Sequence, residues 1–527
     1  LVKHLGLFLR NSAINHPEQP KHNQEEMKEG TLKLYDSVSR DKVTFQPMHE
    51  GAVGMYVCGP TVYNDVHLGN CRTFVSFDII YRYLMYLGYK VRYVRNITDV
   101  GHLLDDGTDR MAKGAKAEQL EPMEVAQKYT NSFRAMMRTF NTLEPSIEPS
   151  ASGHIPEQIQ MVQDILDNGY AYERNGSVYF NTRKFAEEKG IYGNLSGRKI
   201  EDLIAESRDD LKNQGEKDHP SDFAIWMKAS PEHIMRWKSP WSEGFPGWHL
   251  ECSAMSTKYL GQEFDIHGGG NDLKFPHHEN EIAQNAGSCN HTGARYWLHT
   301  NMLLMNGRKM SKSDGNTISP RQLFTGESEH ISKGYSPMVV KFFMLQSHYR
   351  STLDLTDEAL QAAEKGYKRL MEAHRTLNSL EGASAKNETA LDNEIKALIQ
   401  RLHDEMNDDF NTPKALAVLF EMVTKINSLK AGHLKMDDLS PAILKEMKQT
   451  FHDFVFEIMA LQDELSAEGG GSQEAEILDG IMQLVIDMRQ QARANKDWGT
   501  ADKIRDTLQE LNLVLKDGKD GTTWTIG

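Results

Sequence analysis

Two short stretches carry residue types suited to holding phosphate. The first is Pro60 to Asn70, which contains His67-Leu68-Gly69-Asn70. It sits between an apolar run, Gly54 to Cys58, and a long amphipathic pattern, Leu68 to Leu87. A helix N-terminus offers free N–H groups and a partial positive charge, so it attracts phosphate. Gly69 admits a nucleotide against the backbone, and His67 and Asn70 supply side-chain donors. The plain alternative is an ordinary polar loop. The second stretch is Lys309-Met310-Ser311-Lys312-Ser313, followed by Asp314-Gly315-Asn316. Two lysines three apart make a cationic loop that can stabilise charge on departing pyrophosphate. Its alternative is a solvated basic loop.

A third group could bind metal. The four cysteines are Cys58, Cys71, Cys252 and Cys289. So few and so widely spaced, they read as metal ligands or core residues of a reduced, cytoplasmic protein. His277 and Glu281 are four apart and share a face if a helix begins after Pro276. With Cys58 and Cys252 they would give two thiolates, an imidazole and a carboxylate, a tetrahedral zinc set. His249, His267, His278 and Cys289 are rival donors, and a buried Cys is often only a small core residue.

These groups need a frame. The 527 residues predict three to four domains. The formal charge of −15 excludes indiscriminate nucleic-acid binding, so any RNA must be held by a local patch. No apolar run is long enough for a membrane span. Gly54 to Cys58, the helix Leu68 to Leu87 closed by Gly88, and Val91 to Ile97 form a βαβ unit, which implies a parallel sheet. The expected class is α/β: a Rossmann-type catalytic domain with an inserted domain, then a helical bundle and a small mixed C-terminal unit. The expected boundaries are a disordered leader over 1–26, the catalytic halves over 27–109 and 241–350, and the insertion over 110–240. The bundle follows over 351–465 and the terminal unit over 473–527, after the Gly-rich linker 468–472. Within these, Asn175-Gly176 predicts a hairpin turn, Thr356 a helix N-cap and Thr412-Pro413 another helix start. Lys365, Lys368, Arg369 and Arg375 form either a phosphate track or a solvated helix face.

In this order on an α/β frame, the two loop motifs resemble the His-Ile-Gly-His and Lys-Met-Ser-Lys-Ser signatures of class I aminoacyl-tRNA synthetases. The second matches letter for letter; the first departs at Leu68 and Asn70. Tyr56 to Pro60, Gly247 to Met255 and His267 to Gln284 further resemble cysteinyl-tRNA synthetases, from about residue 30 to the end. The resemblance implies attachment of L-cysteine to tRNA(Cys) through cysteinyl-adenylate, with Mg²⁺ accompanying ATP. It implies one Zn²⁺ on Cys58, Cys252, His277 and Glu281 that takes the substrate thiolate. Sulfur against oxygen at one shape is poorly resolved by an apolar pocket, so a metal can replace an editing domain. His67, Asn70, Lys309 and Lys312 are the expected catalytic residues. Gly69, Gly268, Gly269 and Gly270 would face ATP. Thr98, Trp248 and Asp272 would contact the cysteine, and Arg493, Trp498, Asp502 and Asp517 would read the anticodon. A monomer without membrane partners is expected. The rival readings are a ligase joining cysteine to an amino sugar, which would lack the terminal unit, a non-catalytic RNA-binding paralogue, and another nucleotidyl transferase.

Overall fold

A computed structural model describes residues 32–101, 120–198, 216–231, 233–310, 315–464, 482–495, 497–510, 513–518 and 521–526. The expected 1–26 leader, the 468–472 linker and Lys312 lie outside these residues. The chain divides into two compact units, Leu1–Leu461 and Gln462–Gly527.

Along the first unit, a hairpin of β1 (Lys33–Asp36) and β2 (Asp41–Thr44) leads into β3 (Ala52–Val57), α1 (Leu68–Tyr86) and β4 (Lys90–Arg95). Helices α2 (Pro122–Thr139) and α3 (Ile155–Asp167) precede β5 (Ala171–Arg174), β6 (Ser177–Phe180), β7 (Phe223–Lys228), β8 (Trp237–Lys238) and β9 (Glu243–Pro246). Then come α4 (Leu250–Leu260), β10 (Glu263–Gly270), α5 (Glu279–Cys289) and β11 (Gly293–Thr300).

Strands β11-β10-β3-β4 form one parallel sheet in that order. Parallel neighbours need crossovers, and α1 and α5 supply them. The central strand β3 is apolar on successive residues, as burial on both faces demands: Met55, Tyr56 and Val57 are all fully buried. The central pair, β3 and β10, comes from chain segments on either side of the insertion. Their carboxyl ends therefore meet at one crevice, where ligands of open α/β sheets bind. The insertion forms its own antiparallel sheet, β5-β6-β7-β9-β8, which reaches Pro246. Its first hairpin turns at Asn175 and Gly176 with φ of +52° and +86°, the left-handed pair that a two-residue turn demands.

A three-stranded sheet follows, built from β12 (Leu303–Met305), β13 (Arg308–Lys309) and β14 (Leu353–Leu355). Helices α6 (Pro337–Leu345), α7 (Asp357–Ser379), α8 (Ala390–Asn407), α9 (Thr412–Lys430) and α10 (Pro441–His452) complete the unit. Thr356 caps α7, its side chain accepting from the Ala359 N–H at 3.2 Å. The start of α9 differs by one residue from the expectation. Asn411 is the cap, accepting from Lys414 N–H, and Thr412 already lies in the helix with its hydroxyl donated to the Leu345 carbonyl. Both residue types cap well, and the longer amide reaches the helix N–H here. Among the cations on α7, Lys368 pairs with Glu364 and Arg369 lies over Phe420.

In the second unit, residues 482–494 are helical. Helix α11 (Trp498–Glu510) and an antiparallel pair, β15 (Leu513–Gly518) and β16 (Gly521–Ile526), follow.

Candidate metal centre and active site

Cys58 is the first residue beyond β3 and Cys252 lies in the first turn of α4. Glu281 is in the first turn of α5, and His277 sits in the wider turn just before it. All four are buried, and their ligating atoms lie within 4.8 Å of one another. The two sulfurs are 3.5 Å apart, Cys58 Sγ is 3.5 Å from Glu281 Oε1, and His277 Nε2 is 3.2 Å from Glu281 Oε1. Ordinary zinc bond lengths on a tetrahedron give edges of about 3.8, 3.5 and 3.3 Å for these three pairs. Neither ring nitrogen of His277 makes a hydrogen bond, although both are buried, and the two cysteines are free thiols. A buried donor set with an orphaned imidazole fits a metal ion, and its sulfur content is compatible with zinc.

A second group, Cys58, His267, His278 and Glu281, is equally compact. Of its histidines, His278 is also engaged outside the group. His267 Nε2 is 2.8 Å from Glu281 Oε2, and His278 Nδ1 is 2.8 Å from His299 Nε2. It also offers one thiolate instead of two. His267 is therefore placed to orient the carboxylate of Glu281, as outer partners of metal ligands do. Of the other rivals, Cys289 donates to the Asn285 carbonyl in its own helix, and the His249 Nδ1 is 3.1 Å from Asn280 Nδ2.

The electrostatics of the pocket are uneven. Burial, then Cys252 and Glu281, push the Cys58 thiol well up. Burial works against ionisation of Cys252 as well, but the hydrogen bond from Cys58 and the facing His277 bring it below its ordinary value. Burial opposes the charged imidazole of His277, yet Cys252 and Glu281 hold it up at about 10. Glu281, desolvated but next to His267, is held down at about 2. Burial and the neighbouring His267 and His299 keep His278 neutral, well below the usual histidine range. A bound cation would take the place of the proton on His277.

The expected substrate contacts surround this cluster unequally. Thr98 is buried and its hydroxyl accepts from Asn96 Nδ2 at 3.0 Å. The same Asn96 accepts from Gly59 N–H at 2.8 Å, and its Oδ1 is 3.7 Å from Cys252 Sγ. Asn96 thus joins two ligand-bearing segments to Thr98. Sequence reasoning missed it, because an Asn after a strand carries no signal of its own. Trp248 packs edge-on to His277, ring centroids 4.7 Å apart. Asp272 lies in an exposed turn beyond β10.

The glycines of β10 have a reason of their own. A Cβ on Gly268 would stand 2.1 Å from the Phe77 ring, one on Gly269 2.7 Å from His278, and one on Gly270 2.3 Å from Asp272 Oδ1. Gly268 and Gly269 let α1 and His278 approach the strand. These packing roles stand beside the expected contact with ATP.

At the phosphate end, His67 caps α1. Its Nδ1 accepts from Asn70 N–H at 3.3 Å, and Asn70 Oδ1 accepts from His67 N–H at 3.4 Å, a reciprocal capping box. Acceptance at Nδ1 puts the ring proton on Nε2, which makes that atom a donor. Asn70 spends its oxygen on the cap. The ring of His67 lies close over Gly69, with a Cβ there 3.0 Å from it. Lys309 is exposed at the end of β13, and Asn316 Nδ2 donates to the Lys309 and Met305 carbonyls, pinning the root of the loop.

In the second unit Arg493 is exposed, Trp498 is 59% exposed, and Asp502 is exposed and paired with Arg505 at 3.0 Å. The side chain of Asp517 lies outside the described residues.

A nucleotide-type crevice, a capped helix N-terminus and a sulfur-rich ligand set define the class of protein. Residues 44–365 match the family described as tRNA synthetases class I (C) catalytic domain, and residues 401–461 match the DALR domain. Residues 482–524 match the cysteinyl-tRNA ligase anticodon binding domain. The fold is similar to that of methionyl-tRNA synthetase from Mycobacterium tuberculosis, with a TM-score of 0.54 and 13% identity over 78% of this chain and 90% of that one. The chain is a class I aminoacyl-tRNA synthetase by fold. It is 51% identical to the cysteine–tRNA ligase of Bacteroides thetaiotaomicron over 94% of this chain and 99% of that protein. It is 48% identical to the cysteine–tRNA ligase of Deinococcus radiodurans over 94% and 96%. The chain belongs to the cysteine–tRNA ligase family.

Proposed function

We infer that this ligase makes cysteinyl-tRNA(Cys) in two steps and selects cysteine by binding its sulfur to zinc. The observation that carries the selection is the cluster Cys58, Cys252, His277 and Glu281, its ligating atoms within 4.8 Å. Bound there, zinc would favour the thiolate of cysteine over the hydroxyl of serine, since a thiol ionises far more readily at a metal.

The remaining chemistry is positioning and charge. A carboxylate oxygen of cysteine attacks the α-phosphorus of ATP. The bond to the bridging oxygen breaks, and pyrophosphate leaves with the electron pair. The nucleophile is already an anion, so no general base is required. His67 Nε2–H and the N-terminus of α1 hold phosphate oxygens, with Mg²⁺ bound to the ATP. Lys309 and Lys312 neutralise the departing pyrophosphate. Thr98 and Trp248 fix the cysteine beside the ligand cluster, and Asp272 takes its ammonium group. The adenylate then passes its cysteinyl group to a terminal ribose hydroxyl of the tRNA, and AMP leaves. Arg493, Trp498, Asp502 and Asp517 are the proposed anticodon contacts, by stacking and base-edge hydrogen bonds. The expected domain limits describe the working parts, with the insertion extended to Pro246, where its sheet ends. Four free cysteines suit a reducing cytoplasm, and among the described residues no helix is long and apolar enough to cross a membrane.

Cysteine-dependent ATP–pyrophosphate exchange, with serine as control and metal analysis of the same sample, tests this reading. One zinc per chain, exchange with cysteine and none with serine are expected. Full, selective activity in metal-free protein would overturn the zinc role.

A further inference from the structure

Arg72 is a buried cation to which the chemistry above assigns no part. It lies two residues beyond Asn70 in α1 and is 1% exposed. Among the described residues its four hydrogen-bond partners are all backbone carbonyls from two separate segments. Nη1 donates to Asn301 O at 2.9 Å and Met302 O at 2.8 Å. Nη2 donates to His348 O at 3.2 Å and Ser351 O at 2.5 Å. Burying a guanidinium without a carboxylate is costly, and burial lowers it to about 10. A tie made at that cost is informative about where the chain must not move.

The two segments lead directly into β12 and β14, which pair in parallel from Leu303 and Leu353. Strand β12 in turn pairs with β13, with Leu304 opposite Lys309. Arg72 therefore grips the root of the hairpin that carries Lys309. On its own helix it stands five residues from His67. A second link runs alongside, Thr73 Oγ1 to Thr300 Oγ1 at 2.8 Å, which fastens α1 to the end of β11.

We propose that Arg72 is a positioning residue for adenylate formation: its fork fixes the Lys309 hairpin against the His67 end of α1. The inference rests on the reading of His67 and Lys309 as phosphate contacts. The planar fork matters as much as the charge. A lysine in its place has one nitrogen and cannot bridge four carbonyls in two segments. The hairpin would then sit loosely over the triphosphate, and a misplacement of about 1 Å is enough to cost about 100-fold in rate.

The test compares the full-length wild type, Arg72→Lys, Lys309→Ala and the double variant. The readouts are kcat for cysteine-dependent exchange, KM for cysteine, and metal per chain. Arg72→Lys is expected to lower kcat about 100-fold. KM for cysteine should stay within about twofold and metal content should not change, because the ligand cluster does not depend on the fork. In the Lys309→Ala background the same change should cost less than about threefold more, since there is no lysine left to position. Losses that multiply in the double variant would overturn the proposal. So would a parallel fall in kcat, cysteine affinity and metal content, or an unchanged kcat in Arg72→Lys beside a damaged Lys309→Ala. Full exchange in Lys309→Ala would instead overturn the phosphate-loop reading, and this proposal with it.

Discussion

Gly59 and Asn96 are locked together from both sides. The Gly59 N–H donates to Asn96 Oδ1 at 2.8 Å, and a Cβ on Gly59 would stand 1.5 Å from the Asn96 carbonyl oxygen. No side chain fits there, because the obstacle is backbone and cannot swing away. Cys58 is the preceding residue, so this contact sets where one member of the buried cluster leaves its strand. Gly59→Ala is expected to destabilise the protein by about 3 kcal/mol or more. Zinc per chain should fall with it. Thermal unfolding and metal analysis check both; full metal content at an unchanged melting temperature would refute the lock.

Asn96 can be tested by itself. Asn96→Asp keeps an oxygen for Gly59 but removes the amide donor to Thr98, and it places a negative charge near the sulfur of Cys252. Cysteine KM should rise at least tenfold while KM for ATP stays within about twofold. Steady-state exchange with each substrate varied in turn decides it. Equal rises in both KM values would reduce Asn96 to a general structural residue.

Replacing zinc with cobalt gives the ligand set a spectrum. Cobalt-loaded protein is expected to show thiolate charge-transfer absorption in the near ultraviolet, about halved in Cys252→Ser, as one of two protein sulfurs is removed. Cys289→Ser should leave the band as it is, because that sulfur serves the Asn285 carbonyl. Absorption that survives Cys252→Ser at full intensity would favour the rival set with His267 and His278.

The cap that His67 makes and its proposed phosphate contact are separated by a pair of variants. His67→Asn keeps a capping acceptor and loses the imidazole donor; His67→Ala loses both. The helix should lose about 1 kcal/mol in His67→Ala and much less in His67→Asn. Exchange should fall steeply in both. Thermal melts against exchange kcat make the comparison, and wild-type exchange in His67→Asn would confine the residue to the cap.

His348 gives the fold a dependence on pH away from the cysteine-bearing cluster. Burial pushes it down to about 4, against the pull of Asp409 at 3.4 Å and with repulsion from Arg350 and Lys42. Its unfolded value is near 6.5, so between the two the unfolded chain binds more protons. Stability therefore rises with pH across this window and is lost as pH falls from about 6.5 to 4, by about 3 kcal/mol for this group. His348→Asn retains an acceptor for the Arg350 N–H and should flatten that part of the profile. Melting temperatures of both proteins at pH 4.5 and 7.5 measure it; identical slopes would exclude the residue.

The parts of the site that sequence made readable are those with a local rule. His277 and Glu281 are four apart and meet, and His67 to Asn70 opens a helix as its residue types demand. The Asn175-Gly176 turn is equally local. Asn96 and Arg72 follow no local rule. Apart from Thr98, two positions from Asn96, their partners are backbone groups or side chains 37 to 279 positions away, and a carbonyl oxygen looks the same on every residue. Gly268 and Gly269 are only partly readable for a related reason. A glycine in a strand marks a close approach but not what approaches, and here Phe77 and His278 do.

The interleaving of the sheet has a consequence for biosynthesis. Cys58 and Glu281 are separated by 223 residues. At translation rates of about 5–20 residues per second, the amino-terminal thiol waits about 10–45 s before its last ligand is made. Throughout that time β3 also lacks β10, and its open edge is available to other nascent chains. Closure of the sheet and assembly of the Cys58, Cys252, His277 and Glu281 cluster are therefore both late events in the synthesis of the chain.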